Sequence, residues 1–160
     1  MRHRNQEKFE ADSAHGEEGR VAFSEYLLRH GREHERPEMV VSTDYNRRLD
    51  DSDGGDLILP DGKVIEVKRR MFWRGEDIPG SWPVFLIGKV RLHTDNTLGY
   101  AVLNNPMTRY VWVASSTIKH WDVVGRLTDR HLDDRDNEDQ NWYAVPRASW
   151  PSCGIMTRRM

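Results

Sequence analysis

Cysteine is almost missing from this chain of 160 residues: Cys153 is the only one. One thiol excludes an internal disulfide and any Cys-based zinc cluster, and a reducing, cytoplasmic setting is the default expectation. Long apolar runs are missing too. No stretch approaches the ~20 residues that span a bilayer, and the charged N-terminus has no signal-peptide core, so no membrane partner is expected. Neither sign of charge is in excess, since 24 Lys and Arg face 26 Asp and Glu for a net charge of −2. That balance argues against a large nucleic-acid footprint, which normally needs a basic surface. Gly-rich phosphate loops, a nucleophile elbow and a His–Cys pair are absent as well. Among seven His, only His30 and His34 have a metal-ligand spacing, and Gly31 between them works against a shared helix face.

What is present is enough for one folded unit. A hydrophobic content of 37% with 31% charged residues describes a polar but globular chain rather than a disordered one, and its length suits a single domain with its own core. Residues 1–12 are charged and without periodicity, which reads as a mobile N-terminal arm, leaving 13–160 as the domain. A helix is expected over Ser13–His30, with Val21, Phe23, Leu27 and Leu28 on its apolar side and Gly31 as C-cap. Met39–Thr43 reads as a first strand, and 44–53 as a polar loop. Leu98–Asn104 and Arg109–Ala114 read as a hairpin about Asn105-Pro106. Ser115 or Ser116 is placed to cap a short helix through Ile118, Trp121 and Val124, and Trp142–Pro146 reads as a last strand after an acidic loop, 133–139. No internal repeat or linker interrupts this order, which is that of an α/β fold.

The chemistry concentrates in Gly54–Arg70. Leu57-Ile58-Leu59 and Val64-Ile65 are short aliphatic runs bounded by Gly and by Pro60-Asp61-Gly62, the pattern of two strands and a tight turn. Pro60 pre-sets φ for the first turn position, and Gly62 supplies the left-handed residue of a three-residue loop. With that loop Leu59 faces Lys63, Ile58 faces Val64, and Asp56 falls opposite Glu66. Opposed residues share a face of an antiparallel pair, and Lys68 lies on that face by alternation. A two-residue loop would put Asp56 on the other face. Two facing carboxylates repel unless something positive stands between them; Mg²⁺ or Mn²⁺ suits such oxygen ligands. The alternative is a solvated hairpin bearing a salt-bridge patch, against which the flanking apolar residues point to a buried central hairpin. A calcium loop over Asp50–Asp61 fails, because Gly54 removes a ligand position and Pro60 interrupts it.

Around this hairpin, Lys68-Arg69-Arg70 and Arg74 form a local basic cluster, while acid collects in 133–139. The cluster is either a phosphate-facing patch or an ordinary solvated strand end. The following loop carries Phe72, Trp73 and Trp82, aromatics that either stack on bases or, the preferred reading, seal the loop onto the core. Pro83–Ile87 begins another apolar run, and 88–92 reads as a short helix bearing Lys89.

Asp56 followed across a hairpin by Glu66-Val67-Lys68 resembles the signature of the PD-(D/E)XK nuclease superfamily, a likeness that covers about Glu17 to Ala114. Asp56 follows Gly55 where the family has Pro; the literal Pro60-Asp61 pair lies in the turn. The resemblance implies a restriction-endonuclease-like α/β core, a central mixed sheet flanked by helices. It implies that Asp56, Glu66 and the Val67 backbone carbonyl hold Mg²⁺ or Mn²⁺, and that Lys68 positions the attacking water. Glu17 on the first helix is a candidate further metal ligand, and Arg69, Arg70, Arg74 and Lys89 are candidate nucleic-acid contacts. The function expected is that of a metal-dependent endonuclease, a hydrolase acting on DNA, with RNA also open; a homodimer would supply two cuts. The competing reading is an inactive nuclease-fold module that binds nucleic acid or another protein.

Overall fold

A long helix, α1 (Arg2–Arg29), lies against one face of a five-stranded mixed sheet whose other face carries a second, three-stranded sheet. This computed structural model describes residues 2–39, 43, 56–88, 96–118, 121–124 and 142–160. The first sheet has the order β1 (Leu57–Ile58), β2 (Val64–Arg70), β4 (Thr97–Asn104), β5 (Arg109–Ala114), β8 (Arg158–Arg159). Only β2 and β4 run parallel, the other pairs being antiparallel. The second sheet has the order β3 (Val84–Gly88), β7 (Trp142–Pro146), β6 (Asp122–Val124), all antiparallel.

The helix begins well before Ser13. The segment read as an arm is helical from Arg2, and it contains no Gly or Pro while its side chains pair one turn apart, Gln6 Nε2 donating to Glu10 (2.8 Å) and Lys8 Nζ to Asp12 (2.7 Å). Such pairs each add a few tenths of a kcal/mol to a helix. The C-terminus is as expected. Gly31 has φ 70°, and Arg32 N–H donates to Leu27 O (2.9 Å) while Gly31 N–H donates to Leu28 O (3.0 Å), the double bond of a Schellman cap. The helix therefore ends before His30 and His34 can share a face.

Alternation along the strands builds two cores. Ile65 and Val67 of β2, with Ala101 and Leu103 of β4, meet Phe23 of α1, Leu57 and Tyr110. The Tyr26 and Tyr110 hydroxyls are 3.0 Å apart at the edge of this core. Gly19 lets the helix approach the sheet, since a Cβ there would stand 3.1 Å from the Arg69 Cβ. On the opposite face Tyr100, Val102, Val111 and Val113 pack against Phe85, Ile87 and Val145 of the second sheet, together with Trp73, Trp150 and Ile155.

Several expectations are corrected here. Among the described residues the hairpin is not central, because β1 is a two-residue strand at the edge of the first sheet, with a bridge to Glu35 on its outer side. Among the described residues the five-stranded mixed sheet carries helix α1 on one face and the three-stranded sheet on the other, an α/β arrangement. The helix from Ser115 stops at Ile118, and Val124 belongs to β6, because Asp122-Val123-Val124 pairs with β7. The β4–β5 hairpin and β7 fall where they were expected. Most of the expected strand 39–43, the loop 44–53, the helix 88–92 and the acidic loop 133–139 lie outside the described residues.

Gly99 of β4 is held to its identity by packing. A Cβ there would meet the Trp112 ring at 2.5 Å and Val113 O at 2.7 Å. Overpacking of this kind costs about 1–3 kcal/mol. Gly99→Ala is expected to lower the unfolding free energy by that amount, read as a lower urea midpoint with an unchanged slope; an unaltered midpoint would show that the indole swings aside freely.

Candidate active site

The turn sets the site. Gly62, with φ 85°, donates its N–H to Leu59 O (2.8 Å), and Leu59 N–H donates to Lys63 O (2.8 Å). Asp61 Oδ1 accepts from Lys63 N–H at 3.0 Å. The resulting register pairs Ile58 with Val64 and Leu57 with Ile65, so Asp56 comes opposite Glu66 as the loop chemistry predicts. Strand β1 begins only at Leu57, and the next rung is supplied by a side chain: Val67 N–H donates to Asp56 Oδ2 at 2.6 Å. A strand residue directs its N–H and C=O toward the same side of the strand, so the Val67 carbonyl opens on the edge where the Asp56 carboxylate sits.

Ile65 and Val67 face α1, which leaves Glu66, Lys68 and Arg70 on the opposite face of β2. There Lys68 Nζ lies 3.4 Å from Glu66 Oε2. Burial, chiefly, pushes the Asp56 carboxyl up to about 6, helped by the Glu66 charge and a hydrogen bond with Glu66, against the lowering effects of Lys68 and the Val67 N–H. The Asp56 carboxyl thus keeps its proton to higher pH than a solvated carboxyl does, mainly because it is buried and partly because Glu66 is beside it. Burial lowers the Lys68 pKa, but Glu66 and Asp56 outweigh it and hold the ammonium above its ordinary value. Lys68 is therefore a charged donor at neutral pH, suited to hold a water or a phosphate oxygen rather than to remove a proton.

The remaining predicted residues separate. Arg70 is on the site face, and burial pulls its guanidinium down to about 10, which still leaves it charged. Arg74 is exposed. Arg69 stands apart from them. It lies on the α1 face, its side chain 9% exposed, donating to Glu18 Oε2 (2.7 Å), His15 O (3.2 Å) and Asn105 O (2.9 Å); it fastens helix to sheet and does not present itself to a ligand on the Lys68 face. Glu17 accepts from Arg20 Nε at 2.7 Å, so its carboxylate is engaged by a cation. Lys89 lies outside the described residues.

Arg20 is the residue that reading by composition passes over. Its side chain is 4% exposed, and besides Glu17 it donates from Nη1 to Asp56 O at 3.4 Å, which ties the backbone of the site Asp to the helix. Four-residue spacing with Ser24, also buried, was the available signal: an Arg in the middle of a buried helix face has a partner. Ser24 Oγ in turn lies 2.6 Å from His34 Nε2, and His34 Nδ1 lies 2.8 Å from Arg32 O.

The donor set fits a hard divalent cation in kind: two opposed carboxyl groups with a backbone carbonyl directed to the same edge. Among the described residues no group of three or more His, Cys, Asp and Glu side chains stands together to hold a metal, so two carboxylates are the side-chain complement there. Among the same residues, no helix is long and apolar enough to cross a membrane. No protein-family model, no curated protein and no solved structure matches the chain.

Proposed function

We propose that the chain is a small metal-dependent endonuclease of restriction-endonuclease-like fold, hydrolysing phosphodiester bonds in DNA. The observation that carries this reading is the opposed pair Asp56 and Glu66 with the Lys68 ammonium 3.4 Å from Glu66, all set by one hairpin at a sheet edge. In this reading Asp56, Glu66 and the Val67 carbonyl would hold Mg²⁺ or Mn²⁺. A bound divalent cation supplies charge neutralisation at the attacked phosphate and a more acidic water. Lys68 orients that water and offsets the negative charge that grows on the phosphate oxygens. The Val67 N–H fixes one Asp56 oxygen, and Arg20 fixes the Asp56 backbone, so neither has to be ordered during the reaction. Arg70 and Arg74 supply positive charge beside the strand for the flanking phosphates.

The test is cleavage of supercoiled, linear and branched DNA in Mg²⁺ or Mn²⁺, comparing wild type with Asp56→Ala and Lys68→Ala. Loss of cleavage in both, with circular dichroism unchanged, is the expected result; activity surviving both substitutions would place the chemistry elsewhere. One observation favours a second reading, an inactive binding module on the same fold: Glu17 is engaged by Arg20 and so brings no third carboxylate to the pair. DNA retained without cleavage on any of these substrates would select it.

A further inference from the structure

The turn that follows the site strand presents an aromatic ring to solvent on a rigid mount. Phe72 is 73% exposed and Met71 46% exposed, whereas Trp73 beside them is fully buried. The sealing role considered for this loop thus belongs to Trp73, and Phe72 is left over. The turn is held from several directions. Trp73 N–H donates to Arg70 O (3.2 Å), and Asn105 N–H donates to Trp73 O (2.6 Å). Trp73 Nε1 donates to Asp77 O (2.9 Å), and the fully buried Asn104 donates from Nδ2 to Gly75 O (2.9 Å). An exposed ring on a floppy loop would be unremarkable; one fixed at its neighbour by a buried indole has lost little freedom still to be paid on binding.

We propose that Phe72 is a base-stacking platform, and that the substrate class of the site is a nucleic-acid strand with an unpaired or unstacked nucleotide next to the cleaved phosphate. The inference rests on the nuclease reading for the place of the phosphate. Phe72 is four residues beyond Lys68, so their backbones are at most ~13 Å apart at strand rise, which puts the ring within the first few nucleotides of that phosphate. Arg74, exposed on the same loop, adds the cation that accompanies aromatic platforms for single strands. A paired and stacked base offers its edge, not its face, so intact duplex cannot use the ring. A second copy of the chain is the other occupant such a ring would suit, but the exposed Arg74 two residues on, with Glu76 taken up by Arg109 at 3.1 Å, favours a polyanion.

The probe is a single-stranded oligonucleotide carrying 2-aminopurine, titrated into protein made cleavage-dead by Lys68→Ala, alone and combined with Phe72→Ala or Phe72→Trp. The expected result is fluorescence quenching with Phe or Trp at this position, its loss with Ala, and binding about tenfold weaker, while binding of blunt duplex changes less than twofold. Equal quenching and affinity with Ala would overturn the proposal, as would a sedimentation shift from dimer to monomer on Phe72→Ala. The nuclease reading fails separately: wild type would then cleave nothing, whatever the oligonucleotide titration shows. If wild type does cleave, Phe72→Ala alone is expected to lose its preference for unpaired over duplex substrate, and an unchanged preference would count against the platform.

Discussion

Lys68→Met is expected to leave the fold in place and divalent-cation binding intact, and to slow single-turnover cleavage by about a hundredfold to a thousandfold, the usual loss when one preorganised donor to developing charge is removed. Met keeps the length of the side chain and its packing along β2 while deleting the ammonium. The ion pair with Glu66, about a quarter exposed on each side at 3.4 Å, contributes little to stability, so at pH 5, where Asp56 is protonated, the unfolding free energy should move by less than about 1 kcal/mol. Lys68 is also one of the two influences that lower the Asp56 pKa; without it Asp56 holds its proton to higher pH. The pH at which cation binding switches on should therefore rise in the variant, which isothermal titration with Mn²⁺ reads directly. A purely structural Lys68 would show the opposite pattern, with stability lost and cleavage per folded molecule within a few-fold of wild type. That pattern would remove Lys68 from the reaction.

The parts of this site that could be read from the sequence are those that short-range chemistry decides. Pro60-Asp61-Gly62 specifies a turn with one left-handed residue, the turn fixes the register, and the register puts Asp56 opposite Glu66 without reference to the rest of the chain. Gly31 is legible for the same reason. What depended on partners distant in sequence was not legible. Nothing within the hairpin says that β1 would lie at an edge, because the neighbour of β2 on its other side is β4, some thirty residues on. Nor does an apolar run such as 83–87 declare that it will join a second sheet. Arg69 is an intermediate case. Lys68-Arg69-Arg70 reads as one basic patch if charge alone is counted, yet alternation already places Arg69 with Ile65 and Val67 and separates it from Lys68. The period of the strand carried the answer, and the composition of the run obscured it. Helix α1 is longer than expected because charge without periodicity reads as a mobile arm, although Gln6–Glu10 and Lys8–Asp12 are the spacings that support a solvated helix.

Asp56→Asn is expected to make the metal-free protein more stable at pH 8 and to abolish both cation-dependent stabilisation and cleavage. The sign follows from the raised pKa. Asp56 titrates near 6 in the fold and near 4 in an unfolded chain. Its favourable contribution is therefore complete below about pH 4, where it is protonated in both states, and is lost as pH rises through 6. Above that point the ionised form opposes folding by up to ~3 kcal/mol, at about 1.4 kcal/mol for each tenfold change in proton affinity. An Asn at this position is a permanent version of the protonated acid: its carbonyl can accept from the Val67 N–H as Asp56 Oδ2 does, and its amide can donate to Glu66, with which the Asp56 carboxyl hydrogen-bonds. Part of the gain is offset because Lys68 loses an attractive neighbour, so a net increase of about 1–2 kcal/mol at pH 8 is expected, or several degrees in Tm for a domain of this size, shrinking toward zero by pH 4.5. Added Mn²⁺ should raise the Tm of wild type at pH 8 and leave the variant where it is. A residue whose removal stabilises the protein while ending its activity is kept for what it does, not for the fold. If Asp56→Asn instead lowers Tm equally at both pH values and Mn²⁺ moves neither protein, the carboxylate is no more than the cap on the Val67 N–H, and the hairpin holds no metal.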